Sequence, residues 1–413
     1  MIDIRRTTLS NGLQVVSDYD SSTAMAAVNV LYNVGARDEC SDMTGLAHLL
    51  EHLMFGGSVN VADFDGELQR AGGISNAWTS NDYTNFYDVL PAHNIETAFR
   101  LESDRMLSLD FNEKTLETQR SVVTEEFKQQ CLNQPYGDLG HHLRSLVFTT
   151  HPYKWPVIGK EPGHIARITL DDVRRFFTDH YAPGNAVLCV SGNVPPKRVF
   201  SLAEKWFSGI PARPTAPRAY RQEPVQTAAR SLEVNGNVPM TSVTLAFPMQ
   251  GYATRQYFVA DIITDILSNG ESSRFFRRLL PSNRVFAQAD ASILGSDEPG
   301  MLMLSARLTD NSPEAADSAA SKLLDEASRL ATEPVTQREI TRAVNRLNSS
   351  LTFGNLNYLA RAQAISLSTL RCEDFNRMIE PYRSITPAEV AEVTREIIRP
   401  ERINRLTYFP RTD

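Results

Sequence analysis

Several scarcities limit what this chain can be. No apolar run approaches the ~18 residues that a membrane-spanning helix requires, and the first residues, Met1–Arg6, lack the apolar core of a signal peptide. The formal net charge is −7, which argues against a nucleic-acid partner, and we interpret the basic cluster of Arg274, Arg277 and Arg278 as a solvated helix face. We therefore expect a cytoplasmic globular protein that binds neither nucleic acid nor a membrane.

Cysteine and histidine are scarce, and the positions of both are informative. All eight histidines lie at or before His180, so an imidazole site can exist only in the first half of the chain. The four cysteines have no paired spacing, which indicates reduced thiols rather than a disulfide framework or a zinc–thiolate site; they are Cys40, Cys131, Cys189 and Cys372. Any metal site must therefore use histidines and carboxylates.

The run His48-Leu49-Leu50-Glu51-His52 combines two imidazoles with a carboxylate. Residues three and four apart on a helix are neighbours, so His48 and His52 could bind one metal ion with Glu51 beside it. Two histidines and a separate acid form the ligand set of a catalytic zinc, and an adjacent carboxylate suits the general base that activates its bound water. The alternative is a helix whose histidines bind nothing. The apolar flanks favour the metal site, because embedded polar groups need partners. The motif order is that of the inverzincins.

A third ligand is expected from a helix downstream of this motif. The segment Ser121–Phe127 offers two acids, Glu125 and Glu126. Glu126 lies three residues after Val123, on the apolar side of the predicted helix, whereas Glu125 lies on the wet side. We therefore predict Glu126 as the ligand and interpret Glu125 as a solvated surface charge.

A proline-rich segment divides the chain into two similar halves. Residues 211–226 form the predicted linker, between a zinc-binding catalytic domain at 1–210 and a homologous domain at 227–413. A short pattern recurs at one ungapped offset of 217 residues: Ile168-Thr169, Val173 and Pro183 match Ile385-Thr386, Val390 and Pro400. In both copies the pattern predicts a helix followed by an apolar strand, which indicates a duplicated domain.

The order of the predicted elements indicates the fold class. Each half begins with short strand-like runs and continues with longer helical stretches. Strands and helices do not alternate strictly, and no glycine-rich dinucleotide fingerprint follows a strand. This pattern predicts an α+β fold with two structurally similar domains, each an antiparallel sheet with helices packed on one face.

Together these motifs resemble the pitrilysin/insulinase family of zinc peptidases, in particular its short two-domain branch related to the mitochondrial processing peptidase. The separation of 74 residues between His52 and Glu126 is close to the family spacing. The resemblance covers essentially the whole chain and includes further matching runs at Gly35–Glu39, Gly45–Ala47, Gly72–Thr79, Val122–Glu126, Pro183–Ala186 and Gly270–Arg274.

The resemblance implies a zinc-dependent endopeptidase that hydrolyses short or unfolded peptides. His48, His52 and Glu126 would hold Zn²⁺, and Glu51 would take a proton from the bound water and pass it to the leaving amine. The metal would polarise the scissile carbonyl and stabilise the developing oxyanion. Two chains would meet around a closed chamber, as a homodimer or as a heterodimer with a related chain.

The resemblance also implies a site for the substrate. Asn76, Ala77 and Thr79 would present a strand edge to which an extended peptide adds as another strand, so that backbone hydrogen bonds supply affinity. The alternative for Asn76 is a turn residue that follows Gly72-Gly73.

Two departures from the family pattern concern the substrate side and the surroundings of the zinc. Active relatives carry an arginine and a tyrosine in the second domain, whereas the window Leu280–Gln288 has no tyrosine and no clear arginine at the expected position. Relatives often place a supporting glutamate where this chain has Gln119, and Glu117 is a candidate substitute. A non-catalytic or partner-dependent assembly subunit of the same fold is therefore the alternative to a self-sufficient peptidase.

Overall fold

The fold consists of eleven strands and fifteen helices within the described part of the chain. A computed structural model of the protein describes residues 2–218, 220–281, 285–333 and 335–411. The strands are β1 (Ile4–Thr8), β2 (Gln14–Tyr19), β3 (Met25–Tyr32), β4 (Ile74–Thr79), β5 (Thr84–Pro91), β6 (Ala186–Gly192), β7 (Arg230–Gly236), β8 (Ser242–Met249), β9 (Phe286–Leu294), β10 (Gly300–Leu308) and β11 (Asn404–Pro410). The helices are α1 (Leu46–Leu53), α2 (Phe64–Arg70), α3 (Ile95–Leu107), α4 (Glu113–Phe127), α5 (Leu139–Val147), α6 (Pro162–Arg167), α7 (Leu170–His180), α8 (Pro196–Phe207), α9 (Arg255–Ser268), α10 (Arg274–Arg278), α11 (Pro313–Ser328), α12 (Gln337–Gly354), α13 (Tyr358–Leu370), α14 (Glu380–Arg383) and α15 (Pro387–Ile397).

The first of two compact units carries a six-stranded sheet. This unit comprises Met1–Phe127, Trp155–Tyr220 and Leu351–Met378. Its strands follow the order β1-β2-β6-β3-β5-β4, and every pair is antiparallel except β2 with β6. Strand β4 is therefore an edge strand, and one of its sides has no neighbour in this sheet.

Both faces of this sheet are buried, which explains why its central strands are apolar at successive residues. On one face, Val30 and Phe86 belong to the large core that includes α1, α3 and α8. On the other face, Val187 and Cys189 form a second core with Ile365 of α13. Because side chains alternate between the faces of a strand, a sheet with two apolar faces needs a cover on each side.

The second unit repeats this architecture with five strands. It comprises Lys128–Lys154, Arg221–Ser350 and Ile379–Asp413. The strand order is β7-β11-β8-β10-β9, with β7 and β11 parallel and the other pairs antiparallel. Helices α9, α11 and α15 contact this sheet, and Leu143 and Val147 of α5 form a separate apolar cluster with Met301 and Leu406.

The sequence repeat corresponds to equivalent structural elements. Thr169 and Thr386 each accept a hydrogen bond from the backbone N–H three residues later, which starts α7 and α15 with a capping box. Strands β6 and β11 follow, and each occupies the second or third position of its sheet beside a parallel neighbour. The predicted helix–strand repeat is thus present in both units.

The α+β fold with two similar units is confirmed, and three details differ from the sequence prediction. Each sheet contains one parallel pair instead of being wholly antiparallel. Helix α13 covers the second face of the first sheet, so helices are not confined to one face. The units are also discontinuous, because Leu351–Met378 joins the first unit and Lys128–Lys154 joins the second. The boundary at Tyr220/Arg221 lies inside the predicted linker.

The structure contains free cysteine thiols and, in its described part, no helix suited to a membrane. All four cysteines are free thiols; Cys131 and Cys189 are buried, and Cys40 and Cys372 are exposed. Among the described residues, no helix combines the length and the apolar character needed to cross a bilayer.

Candidate metal centre

Helix α1 orients the motif because its apolar residues fix which side faces inward. Leu49, Leu50 and Leu53 are buried, so His48, Glu51 and His52 emerge together on the remaining side. The two imidazole rings lie 4.8 Å apart between centroids and are nearly perpendicular, at 87°. The i, i+4 spacing therefore brings both rings to one place, as the sequence predicted.

The start of α1 is fixed by a buried glutamate side chain that the sequence did not single out. The Glu39 side chain accepts hydrogen bonds from the backbone N–H groups of Gly45 at 3.0 Å and Ala47 at 2.9 Å. Gly45 has a φ of 90°, in the left-handed region that favours glycine, and a Cβ there would lie 3.1 Å from the carbonyl oxygen of Ile158. Glu39 belongs to the Gly35–Glu39 run, which was noted only as a family resemblance.

Helix α4 brings the third donor to the motif. Val123 is fully buried and turns the following Glu126 towards α1, while Glu125 is exposed. The Oε2 atom of Glu126 lies 3.7 Å from His48 Nε2 and 3.5 Å from His52 Nε2. The structure thus brings together the three residues that the sequence nominated as ligands.

This donor set fits a zinc ion. One ligand atom from each of His48, His52 and Glu126 lies within 4.8 Å of the other two, and no other such group of histidine, cysteine or acidic residues occurs in residues 2–218, 220–281, 285–333 and 335–411. Two donors bound tetrahedrally at zinc's ~2.0–2.1 Å bond lengths lie roughly 3.3 Å apart. The observed nitrogen-to-oxygen distances are only slightly longer. Three protein donors also leave a fourth position, as catalytic zinc sites do.

The electrostatics of the trio favour a neutral imidazole at His48. Burial, together with the charge of His52, lowers the pKa of His48 to about 4. Burial also lowers the pKa of His52, but the hydrogen bond and negative charge of Glu126 outweigh it and raise that pKa overall. A neutral His48 at pH 7 has a free ring nitrogen for a metal ion.

Glu51 is held beside the trio by the edge strand of the sheet. Thr79 Oγ1 donates a hydrogen bond of 2.5 Å to Glu51 Oε2. Burial raises the pKa of Glu51, and this hydrogen bond acts in the opposite direction. A carboxylate with a raised pKa next to a metal site has the properties of a general base. The structure therefore joins Thr79, nominated as a substrate residue, to the nominated base.

The surroundings of the ligands match the sequence predictions only in part. The Gln119 side chain hydrogen-bonds His52, where it can orient the ring. Glu117 does not take this place; its side chain is 71% exposed and pairs with Arg120 at 2.9 Å. His48 Nδ1 is buried and has no hydrogen-bond partner among the described residues, so this ring lacks the usual orienting acceptor.

A buried charge cluster underlies the site and was missed from the sequence. The Arg105 guanidinium lies 3.8 Å from the centroid of Phe64 and below 5 Å from those of Phe55 and Phe86. It also pairs with Glu102 at 2.8 Å, and both side chains are almost completely buried. Phe55 lies two residues after the end of α1, and Phe86 pairs with Ala77 of β4. No local pattern reveals this cluster, because its members come from α2, α3, β5 and the segment that follows α1.

The predicted substrate residues lie along β4. Asn76 is exposed, whereas Ala77 and Thr79 are half-buried and point to the opposite face. The Asn76 side chain accepts a hydrogen bond of 2.8 Å from the N–H of Ala77. Asn76 therefore lies in the strand, not in the turn that was its alternative. The window Leu280–Gln288, which lacks the arginine and tyrosine expected from the family pattern, includes residues 282–284, and these lie outside the described residues.

The fold and the donor set define the class: a duplicated α+β protein with an inverted His-x-x-Glu-His metal motif. The chain belongs to peptidase family M16. Residues 14–160 match the family described as Insulinase (Peptidase family M16), and residues 167–347 match the Peptidase M16 inactive domain. The metal motif lies within the first of these matches.

Two similar proteins and one solved structure agree with this assignment. Zinc protease PqqE of Helicobacter pylori is 34% identical over 288 residues, which are 68% of this chain and 65% of PqqE, slightly less than two thirds of that relative. A probable mitochondrial-processing peptidase subunit beta of Arabidopsis thaliana is 27% identical over 59% of this chain and 46% of its own length. The crystal structure of a protease from Helicobacter pylori superposes with a TM-score of 0.91 at 26% identity and covers 99% of this chain and 100% of that one. The chain is thus similar throughout to a zinc-protease family.

Proposed function

We propose that this protein is a zinc-dependent endopeptidase that cleaves short or unfolded peptides. The observation that carries the proposal is the convergence of His48, His52 and Glu126 beside the half-buried carboxylate of Glu51. A zinc ion held by these three side chains would supply Lewis-acid polarisation of a peptide carbonyl and would acidify water.

Glu51 has the role of proton carrier in this proposal. Its carboxylate would accept a proton from the attacking water and deliver it to the amine of the departing peptide. The Thr79 hydroxyl orients that carboxylate and moderates the rise in its pKa that burial causes. Gln119, whose side-chain hydrogen bond contributes to the raised pKa of His52, would orient that ring.

The free edge of β4 is the proposed binding surface for the peptide backbone. An extended peptide that pairs with β4 would replace the internal hydrogen bond from Ala77 N–H to Asn76. Ile74 and Trp78 are exposed beside Asn76 on the same face and offer apolar surface to substrate side chains. Backbone pairing of this kind places little demand on substrate sequence, which suits unfolded peptides.

The test combines product analysis with a single isosteric variant. Zinc-loaded protein is incubated with a mixture of unstructured peptides, with and without a chelator, and the products are sequenced. Glu51→Gln should retain about one zinc per chain and lose roughly 10²–10⁴-fold in turnover, because it removes a general base. Glu125→Gln, on the exposed side of the neighbouring helix, is the matched control and should cleave normally. Unchanged turnover in Glu51→Gln would remove Glu51 from the mechanism.

A partner-dependent form of the same activity is the second candidate. Two observations favour it: the window Leu280–Gln288 contains no tyrosine, and residues 167–347 match a domain described as inactive. In this form the purified chain binds zinc but cleaves poorly until a related chain supplies the missing substrate contacts. Full activity of the chain alone would exclude the partner requirement. Homodimer or heterodimer formation and a cytoplasmic location stay predictions.

A further inference from the structure

The second unit contains a cavity with an unusual lining of arginines. Its volume is about 680 Å³, and its walls come from α10, from the start of α12 and from the segments before each helix. Five arginines and two glutamates are among the residues that line it: Arg274, Arg277, Arg278, Arg338, Arg342, Glu333 and Glu339. The basic cluster that the sequence analysis interpreted as a solvated helix face therefore lines a cavity together with two arginines of α12.

Some of this positive charge is neutralised within the unit. The Glu339 carboxylate accepts two hydrogen bonds from Arg274, one from Nε at 2.9 Å and one from Nη2 at 3.3 Å. Arg278 pairs with Glu326 at 2.9 Å and with Glu333 at 3.2 Å. Arg342 donates to the Ser272 hydroxyl. These contacts fix the guanidinium groups in the cavity wall before any ligand arrives.

Other donors in the wall have no partner. The side chains of Arg277 and Arg338 make no ion pair or hydrogen bond with any described residue, and both residues are exposed. Arg274 is only 7% exposed, and its Nη1 atom is buried without a hydrogen-bond partner among the described residues. An unpaired buried guanidinium nitrogen costs free energy unless an acceptor completes it. A hydrogen-bond acceptor, such as the oxygen of an anionic ligand, would satisfy this atom.

We propose that this arginine pocket binds clustered carboxylates, as presented by an acidic stretch of a peptide. Guanidinium groups pair with oxyanions through parallel N–H bonds, and the Arg274–Glu339 contact already shows this pairing within the wall. A cavity of about 680 Å³ lies in the range of ligand sites and is far larger than one inorganic oxyanion, so it suits several side chains of one segment. The choice of a peptide as the carrier rests on the proposed peptidase function; the pocket itself does not.

The net negative charge of the protein means that only a local cluster of arginines could attract an acidic peptide. The chain carries a net charge of −7, so an acidic peptide is repelled by the molecule as a whole. Binding of such a peptide would therefore depend on the local arginines and would weaken steeply with salt.

The experiment measures binding of a dye-labelled hexaglutamate peptide by fluorescence anisotropy, with hexaglutamine as the uncharged comparison. The full chain with Glu51→Gln is used, so that peptide cleavage does not interfere. The double variant Arg277→Ala/Arg338→Ala removes only unpaired side chains and should weaken hexaglutamate binding about tenfold or more. The matched control, Arg221→Ala/Arg383→Ala, removes two exposed arginines of the same unit from outside the cavity lining and should bind as the parent does.

Each outcome decides between the explanations. Tight binding of hexaglutamate but not hexaglutamine, lost in the pocket variant alone, supports the proposal. Equal weakening in both double variants, or none in either, overturns the assignment to this cavity. Titration with inorganic phosphate separates the two sources of oxyanion. A protein that binds phosphate but does not bind hexaglutamate would overturn the peptide assignment. If hexaglutamate binds but the unsubstituted chain cleaves no peptide, the peptidase proposal fails and the pocket stands.

Discussion

Replacing Glu39 by alanine should detach the start of α1 and thereby loosen the metal centre. Glu39 is 7% exposed, and its two carboxyl oxygens serve two different backbone donors, Gly45 and Ala47. Alanine would leave both N–H groups buried without an acceptor. Each such loss costs about 1–3 kcal/mol, so we expect the free energy of unfolding to fall by roughly 2–5 kcal/mol. Because α1 carries both histidines, zinc affinity should fall by about 10–100-fold, as for lost supporting contacts.

The same residue predicts a pH dependence with a definite sign. Burial raises the pKa of Glu39 from an ordinary 4.5 to about 8. Between these values the folded protein holds one more proton than the unfolded chain at this position. The stabilising contribution is therefore complete below about pH 4.5 and is lost as the pH rises through about 8, at about 1.4 kcal/mol per pH unit. Glu39→Gln removes this dependence and retains one acceptor, so it should lose less stability than alanine.

The assay is urea unfolding followed by circular dichroism from pH 5 to pH 9, combined with zinc titration at pH 7. The informative quantity is the difference in unfolding free energy between the wild-type chain and Glu39→Gln. The wild-type chain should lose unfolding free energy relative to Glu39→Gln as the pH rises. Alanine and wild-type chains of equal stability would refute the capping role of Glu39. Parallel pH profiles for wild type and Glu39→Gln would refute the raised pKa of Glu39.

Three further predictions concern other residues of the same unit. Glu126→Ala should reduce bound zinc well below one per chain, measured by elemental analysis after dialysis, because it removes one of three donors. Arg105→Met should lower the free energy of unfolding by about 3–5 kcal/mol, measured by urea titration, because Glu102 loses its buried partner. Thr79→Val removes the donor that lowers the pKa of Glu51, so the acidic limb of the kcat/KM profile should move to higher pH.

Matched controls make these predictions specific. Glu125→Ala changes the same charge on the exposed side of α4 and should keep zinc. Arg100→Met breaks a more exposed ion pair with Glu67 and should cost at most about 1 kcal/mol. Thr79→Ser keeps the hydroxyl and should keep the pH profile. A control that behaves like its paired variant would contradict the assigned role.

The metal ligands were predictable because each depends on local periodicity. The i, i+4 spacing of His48 and His52 needs only helical geometry, and Val123 determines the direction of Glu126 within the same turn. The repeat at Thr169 and Thr386 was also visible, since a capping box spans only four residues. Glu117 does not support the ligands because its side chain is 71% exposed and pairs with Arg120, one turn along the same helix.

Contacts between distant segments could not be derived in the same way. The hydrogen bond from Thr79 to Glu51 joins an edge strand to a helix 28 residues away. The arginine pocket depends on α10 and α12, which are separated by about 60 residues, so the sequence showed only half of its lining. Nothing in a local pattern states which helix will meet which strand.

The sequence by itself determined the duplicated α+β layout, the nomination of His48, His52 and Glu126, and the base beside them, because these features follow from spacing within single elements. Only the tertiary structure decided that α13, from the second half of the chain, belongs to the first unit and that α5, from the first half, belongs to the second unit. It also decided that Glu39 fixes the start of α1 and that arginines from two helices line one cavity. The physical reason is that a buried face or an unpaired donor can be satisfied by many distant segments, and the choice among them is made by packing of the whole unit.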